Sequence, residues 1–353
     1  MMNRIMMLKK LGIRIHLHYF SYNERGTPNE LNQYCESIHV YARRTGFKGF
    51  SLKIPYIISS RANQELINNL QKDNHPVLLE GIHCTAVLPH LDLQNRKVIV
   101  RMHNEESTYY EEMARSESNL FKKIYFLNES RLLKKYSSRL PKNCLFVCIS
   151  KEDTRLLKQE YNLLNVQFLA AFPAWQNVNG IEGIGNFCLY HGNLSIPENE
   201  RAACWLLRNV FTKIKMPLVI AGKNPPQRLV NQSQLCQHSC LVADPSESEM
   251  NDLVRKAHIN LLPAFNKNIT GIRFKLLHAL FEGRHCVVTD AMINGTGLEA
   301  ACHIGTNANA FASIITQLYH QPFATEEITL RKKLLEGTYN NEKNAKQLIQ
   351  YLW

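Results

Sequence analysis

The sequence predicts an α/β protein of two Rossmann-like doubly wound domains, and three observations point there. The chain has 353 residues, more than one hydrophobic core usually organises when a domain averages roughly 150 residues. Short β-branched runs alternate with longer helical patterns in both halves, the signature of parallel sheets flanked by helices. The alternation breaks at 177–186, where Asn177, Asn179, Gly180, Gly183, Gly185 and Asn186 crowd together without periodicity.

These observations divide the chain into an N-terminal domain over 1–176, a linker over 177–186 and a C-terminal domain over 187–335. A last helix over 336–353 is free to pack back on the N-terminal domain. Residues 1–11 read as a helix stopped by Gly12, so the first domain reads as lacking its opening strand. Strands are expected at 13–20, 76–80, 97–101 and 144–150, and then at 187–191, 217–221, 240–243, 259–263 and 285–289. One or two amphipathic helices are expected over 111–140.

Bulk properties narrow the function. A composition of 45% hydrophobic and 20% charged residues is that of an ordinary globular protein. No run approaches the roughly 20 apolar residues of a membrane span, and the first ten residues do not form a signal peptide, so the expected location is the cytoplasm. The net charge of +12 favours anionic partners such as phosphorylated ligands or an acidic lipid surface. Nucleic acid is not expected, because no zinc-finger, RNP-like or basic-zipper pattern occurs.

Ten cysteines lie scattered, and a cytosolic chain would keep them reduced. Cys144/Cys148 and Cys236/Cys240 lack CxxC spacing, and His16/His18 on one strand lack a third ligand, so no metal is expected.

In open α/β sheets ligands bind beyond the carboxyl ends of the strands, and there the sequence is informative. Glu80 and His83 follow one strand; His103, Asn104 and Glu105 follow another; Gly192 and Asn193 follow a third; Lys223 follows a fourth. The most specific segment runs from Thr270 to Gly283. Ile272, Leu276, Ala279 and Leu280 mark a buried helix face, Gly271 is read at the helix start, and Lys275 lies one turn on, beside Arg273. A helix N-terminus with free N–H groups and a nearby lysine suits a phosphate.

This segment resembles the C-terminal domain of GT-B glycosyltransferases of the group 1, family-4-like class, which build surface polysaccharides in bacteria. Gly271, Lys275 and Gly283 match that pattern, whereas Thr270 and His278 stand where the family carries its two glutamates. The stretch from Tyr190 to Asn199 resembles the first strand and loop of that domain, and Ile220 to Pro225 resembles the second, where the family places a basic residue, here Lys223, on the donor diphosphate. Residues 98–110 resemble the strand and loop in which a histidine faces the reacting sugar.

The resemblance implies two domains facing a cleft, with Gly192, Asn193, Lys223, Thr270, Gly271, Arg273, Lys275 and His278 on a nucleotide diphosphate sugar. It implies His103 as the catalytic group, with Glu80, His83, Asn104 and Glu105 as acceptor-side neighbours. No cofactor or metal is implied, since the charge of the leaving diphosphate falls to lysines.

Basic residues from Lys122 to Lys142 interleave with Phe121, Tyr125 and Phe126, either as a membrane-surface helix or as a solvated face with buried aromatics. The buried-aromatic reading is the expected one. A nucleotide-sugar 2-epimerase and a degenerate binding protein are the competing functions.

Overall fold

The computed structural model describes residues 1–21, 29–117, 119–266 and 271–353. The chain divides into two compact units. Met1–Phe172 and Asn340–Trp353 form the first, joined by Gly271 and Ile272; Pro173–Ile269 and Arg273–Tyr339 form the second.

The first unit contains β1 (His16–Phe20), β2 (Ser37–Tyr41), β3 (Val77–Glu80), β4 (Val98–Met102), β5 (Leu145–Cys148) and β6 (Val166–Phe168). Strands β3 to β6 pair in sequence order as a parallel sheet, and β1 and β2 form a separate parallel pair. β4 is buried at every position, as expected of a central parallel strand covered on both faces. One face packs against Leu66, Ile82, Leu88 and Leu133. The other packs against Leu8, Leu348 and Leu352, from helices Met2–Lys10 and Asn341–Leu352.

His16 and His18 are tied into the β1–β2 pair, His16 Nδ1 lying 2.8 Å from Ser37 Oγ and His18 Nδ1 2.8 Å from Tyr41 Oη.

The second unit contains β7 (Cys188–Asn193), β8 (Leu218–Lys223), β9 (Ser239–Ala243), β10 (Ile259–Leu262), β11 (His285–Val288) and β12 (His303–Ile304). Their parallel order is β12-β11-β10-β7-β8-β9. Renumbered within the unit this is the Rossmann order 3-2-1-4-5-6, whose direction reverses between β7 and β10. Segment 177–186, read as a linker, is fastened to this unit: Asn179 N donates to Phe281 O, and Gly183 pairs with Phe323.

Helices Glu106–Ser116 and Leu120–Ser137 fill the expected 111–140 region, but their exposed face is not the buried-aromatic one. Phe121 is 84% and Leu120 67% exposed, beside exposed Lys122, Lys123 and Ile124. Phe47, Phe50 and Leu52 are exposed in the same unit, and the chain that follows them is tied to this helix where Tyr56 N donates to Glu129 Oε2. Among the described residues no helix is long and apolar enough to cross a membrane.

Candidate functional site

In the first unit the ends of β3 and β4 bring Glu80 and His103 together, with Glu80 Oε2 3.0 Å from His103 Nε2. The same oxygen takes an ion pair from Arg4 Nη2 at 2.7 Å. Burial works to raise the Glu80 pKa, but Arg4 and His103 outweigh it and hold the carboxyl at about 2. His83 lies against this pair, and burial reinforced by the Arg61 charge lowers its pKa to about 4. Gly81 makes that placement possible: its φ is +96°, and a Cβ there would lie 2.3 Å from the His83 ring.

Asn104 Nδ2 donates to Glu106 Oε1 at 3.3 Å, and burial raises the Glu106 pKa. Glu105 does not join this group. It is the N-cap of helix Glu106–Ser116, where its carboxylate accepts from Ser107 N, Thr108 N and Tyr161 Oη. A 3% exposed acid engaged in this way caps a helix end and has no free face for an acceptor.

Gly271 also departs from expectation. The helix begins at Phe274 with Arg273 as its N-cap, so Gly271 lies outside the first turn. Its N–H donates to Asp153 Oδ2 at 2.8 Å rather than remaining free for phosphate. Its φ is +72°, and a Cβ would lie 2.2 Å from Asn104 Oδ1, so the position needs glycine for close backbone approach. Burial lifts Asp153 to about 7. Thr270 lies outside the described residues.

In the second unit the predicted donor residues converge at the carboxyl end of β7, beside the reversal point. Lys275, in the first turn of helix Phe274–Glu282, donates to Asn199 Oδ1 at 3.1 Å and lies 5.4 Å from the centre of the Tyr190 ring. Asn199 is held in turn, since its Nδ2 donates to Asn193 O at 2.9 Å and its carbonyl accepts from Tyr190 Oη at 3.0 Å. Arg273 forms a two-pronged ion pair with Glu198. That leaves Lys275 with no carboxylate in salt-bridge range among the described residues, and burial, with the Arg273 charge, lowers its pKa to about 8.

His278 stacks on Trp175 with centroids 4.4 Å apart and meets the edge of His191 at 5.6 Å. Burial holds both rings neutral, His278 at about 4 and His191 at about 3. The Nε2 atoms of both are buried without a hydrogen-bond partner. Gly192 lies against Asn199, where a Cβ would come within 3.3 Å of that side chain. Lys223 is exposed at the neighbouring end of β8.

The sequence marks the stretch holding Tyr190, His191, Glu198 and Asn199 without assigning these four a role, and it does not mark Trp175. The position of the first four, at and just after the carboxyl end of β7, was the available signal. Glu282 offers no substitute for the missing family acid, because it is paired with Arg255 Nε at 2.6 Å and Asn179 Nδ2 at 2.8 Å.

Residues 185–321 match the family model described as glycosyl transferases group 1. A curated relative, an uncharacterized 44.6 kDa protein in the cps region of Klebsiella pneumoniae, is 25% identical over 279 residues. The match takes in 76% of this chain and 65% of the relative, so the chain spans somewhat less than two thirds of the relative's length. Among solved structures, sucrose-phosphate synthase from Thermosynechococcus elongatus superposes with a TM-score of 0.69 at 14% identity, over 98% of this chain and 89% of that one. Anabaena Alr3699/HepE, in complex with UDP and glucose, gives 0.66 at 10% identity, over 99% and 95%. The chain has the GT-B fold, and its residues 185–321 match the glycosyl transferases group 1 family.

Proposed function

We propose that this chain is a glycosyltransferase that moves a sugar from a nucleotide diphosphate sugar to a sugar or lipid-linked acceptor in surface polysaccharide synthesis. The observation that carries the reading is Lys275: a half-buried amine with no carboxylate in salt-bridge range among the described residues, in the first turn of a helix at the reversal point of the sheet. A desolvated cation in that position is completed by an anion, and a diphosphate supplies one. Neutral His191 and His278, each with an unpartnered Nε2, suit hydroxyl groups of the nucleotide or sugar. The cps-region relative directs the acceptor side toward polysaccharide.

On the acceptor side His103 is the candidate catalytic group, oriented by Glu80 with His83 and Asn104 beside it. A base here would act on an acceptor hydroxyl within hydrogen-bond reach. Turnover assays with a panel of nucleotide sugars test the reading. Glycosyl transfer or slow donor hydrolysis supports it, inversion at C2 replaces it with an epimerase, and UDP binding without turnover of any donor leaves a binding protein.

The exposed Phe121, Leu120 and Ile124 beside Lys122 and Lys123 favour a membrane-surface role for helix Leu120–Ser137. Apolar side chains enter the headgroup boundary while lysines meet anionic lipid, at about 1 kcal/mol per lysine near the surface. Vesicles rich in anionic lipid are expected to retain the protein at low salt, and Phe121→Glu is expected to release it. Equal retention of both proteins rules out this surface.

A further inference from the structure

A second cluster of ionisable side chains lies at the β11–β12 edge of the second unit's sheet. Val287 on β11 pairs with His303 on β12, and the two-residue period of a strand puts His285 on the same face as His303. Helix Thr325–Leu335 adds Glu327. Glu327 Oε1 lies 3.3 Å from His285 Nδ1 and 3.9 Å from His303 Nε2, and all three atoms fall within 4.8 Å of one another.

The remaining polar side-chain atoms of Glu327 and His285 are already assigned. Glu327 Oε2 accepts from Ala324 N at 3.2 Å, which leaves Oε1 facing the imidazoles. His285 Nε2 lies 3.0 Å from the carbonyl of Gln321, an acceptor, so the ring hydrogen belongs on Nε2. Nδ1, on a histidine side chain with no exposed surface, then presents a lone pair to the Glu327 carboxylate oxygen and has no hydrogen-bond partner. Two acceptors facing each other at 3.3 Å, one of them fully buried, are reconciled by a cation between them.

A backbone carbonyl on the far nitrogen is also the arrangement that orients metal-binding histidines. His258, edge-on to His285 at 5.1 Å, is not a ligand, because its Nδ1 accepts from Gly185 N and its Nε2 faces Leu318 O.

We infer that His285 Nδ1, His303 Nε2 and Glu327 Oε1 bind a divalent transition-metal ion of the zinc type. Zinc bonds of about 2.0–2.1 Å in a tetrahedron place neighbouring ligand atoms about 3.3–3.4 Å apart; the His285–Glu327 spacing of 3.3 Å meets this, and His303, 3.9 Å from Glu327, has to close in on the ion. His303 is 37% exposed at its side chain, so water reaches the fourth position. The ion ties helix Thr325–Leu335 to the sheet edge, a structural role separate from donor binding at β7. This is not a cysteine site of the kind weighed from the sequence; its ligands come from two strands and a helix that share no motif spacing.

Zinc titration of the chelator-stripped full chain, followed by calorimetry and by the visible spectrum of the Co2+-loaded protein, tests the inference. One equivalent of zinc, a tetrahedral Co2+ band and a zinc-dependent rise in Tm are expected. His303→Ala retains all ten cysteines and the buried His285, and it is expected to lose the band and weaken zinc by at least about tenfold. Glu327→Gln is expected to do the same. Zinc binding that survives both substitutions, or no stoichiometric zinc in the wild type, overturns the site and leaves a proton as the cation between His285 and Glu327.

Discussion

Lys275→Met is expected to make the protein more stable and its donor site worse. The amine's folded pKa of about 8 lies below its ordinary value of 10.5, so folding disfavours the charged form. The penalty is present in full below pH 8 and fades as pH rises from 8 toward 10.5. A displacement of that size corresponds to about 3 kcal/mol at pH 7. Losing the Asn199 hydrogen bond and the contact with the Tyr190 ring offsets part of it. Asn199 is only half-buried and water can replace the amine, which leaves a net gain of about 1–2 kcal/mol.

UDP binding should move the other way in the same variant, weakening by about 1–3 kcal/mol through loss of a charge-assisted contact. Wild-type affinity should fall as pH rises above about 8, where the free amine loses its proton, and the methionine variant should lack that limb. Calorimetry with UDP across pH, beside thermal melts, reads both effects. A destabilised variant with unchanged UDP affinity would make Lys275 a packing residue. The opposed signs are what a functional group held at a cost to the fold produces, and a structural lysine has no reason to show them.

What the sequence made legible follows the range of the interactions involved. β4 and β5 were plain because a strand buried on both faces writes itself as an unbroken apolar run. β2, β6 and β12 escaped: Ser37–Tyr41 carries a histidine and a serine, and the other two have three and two residues, too few to show a period. Lys275 was found because a glycine and a lysine four residues apart are local information. Asn199 was not, because its role is to hold the Lys275 amine from another helix, 76 positions away in sequence.

Glu105 was misassigned for a physical reason. A carboxylate before Glu106, Ser107 and Thr108 at a strand end looks alike whether it serves a ligand or a helix, and the distinction lies in Tyr161, 56 positions away. Gly271 was misplaced because Arg273 keeps an extended conformation and delays the helix to Phe274.

Glu80→Gln is expected to be the most damaging single substitution in the first unit. One carboxylate oxygen there carries both Arg4, whose side chain is 6% exposed, and His103, while buried Arg101 adds to the positive surroundings. The folded pKa of about 2 lies below the ordinary 4.5, so the charged carboxylate contributes stability that is complete above pH 4.5 and lost as pH falls toward 2. The displacement corresponds to about 3 kcal/mol at neutral pH. Glutamine keeps the shape but leaves the Arg4 charge buried without its counter-ion, a change that costs on the order of 3–5 kcal/mol.

Denaturant unfolding across pH should therefore show wild type and variant far apart at pH 7 and converging near pH 2. In a transfer assay the His103 ring, deprived of its acceptor, should lose orientation, and kcat should fall by roughly 10²-fold. UDP affinity, which the proposed function assigns to Lys275 and its neighbours, should hold. Parallel acid limbs in the two proteins would remove Glu80 from the ion-pair network. An unchanged kcat beside the predicted acid limb would leave the network structural and move the catalytic assignment away from His103.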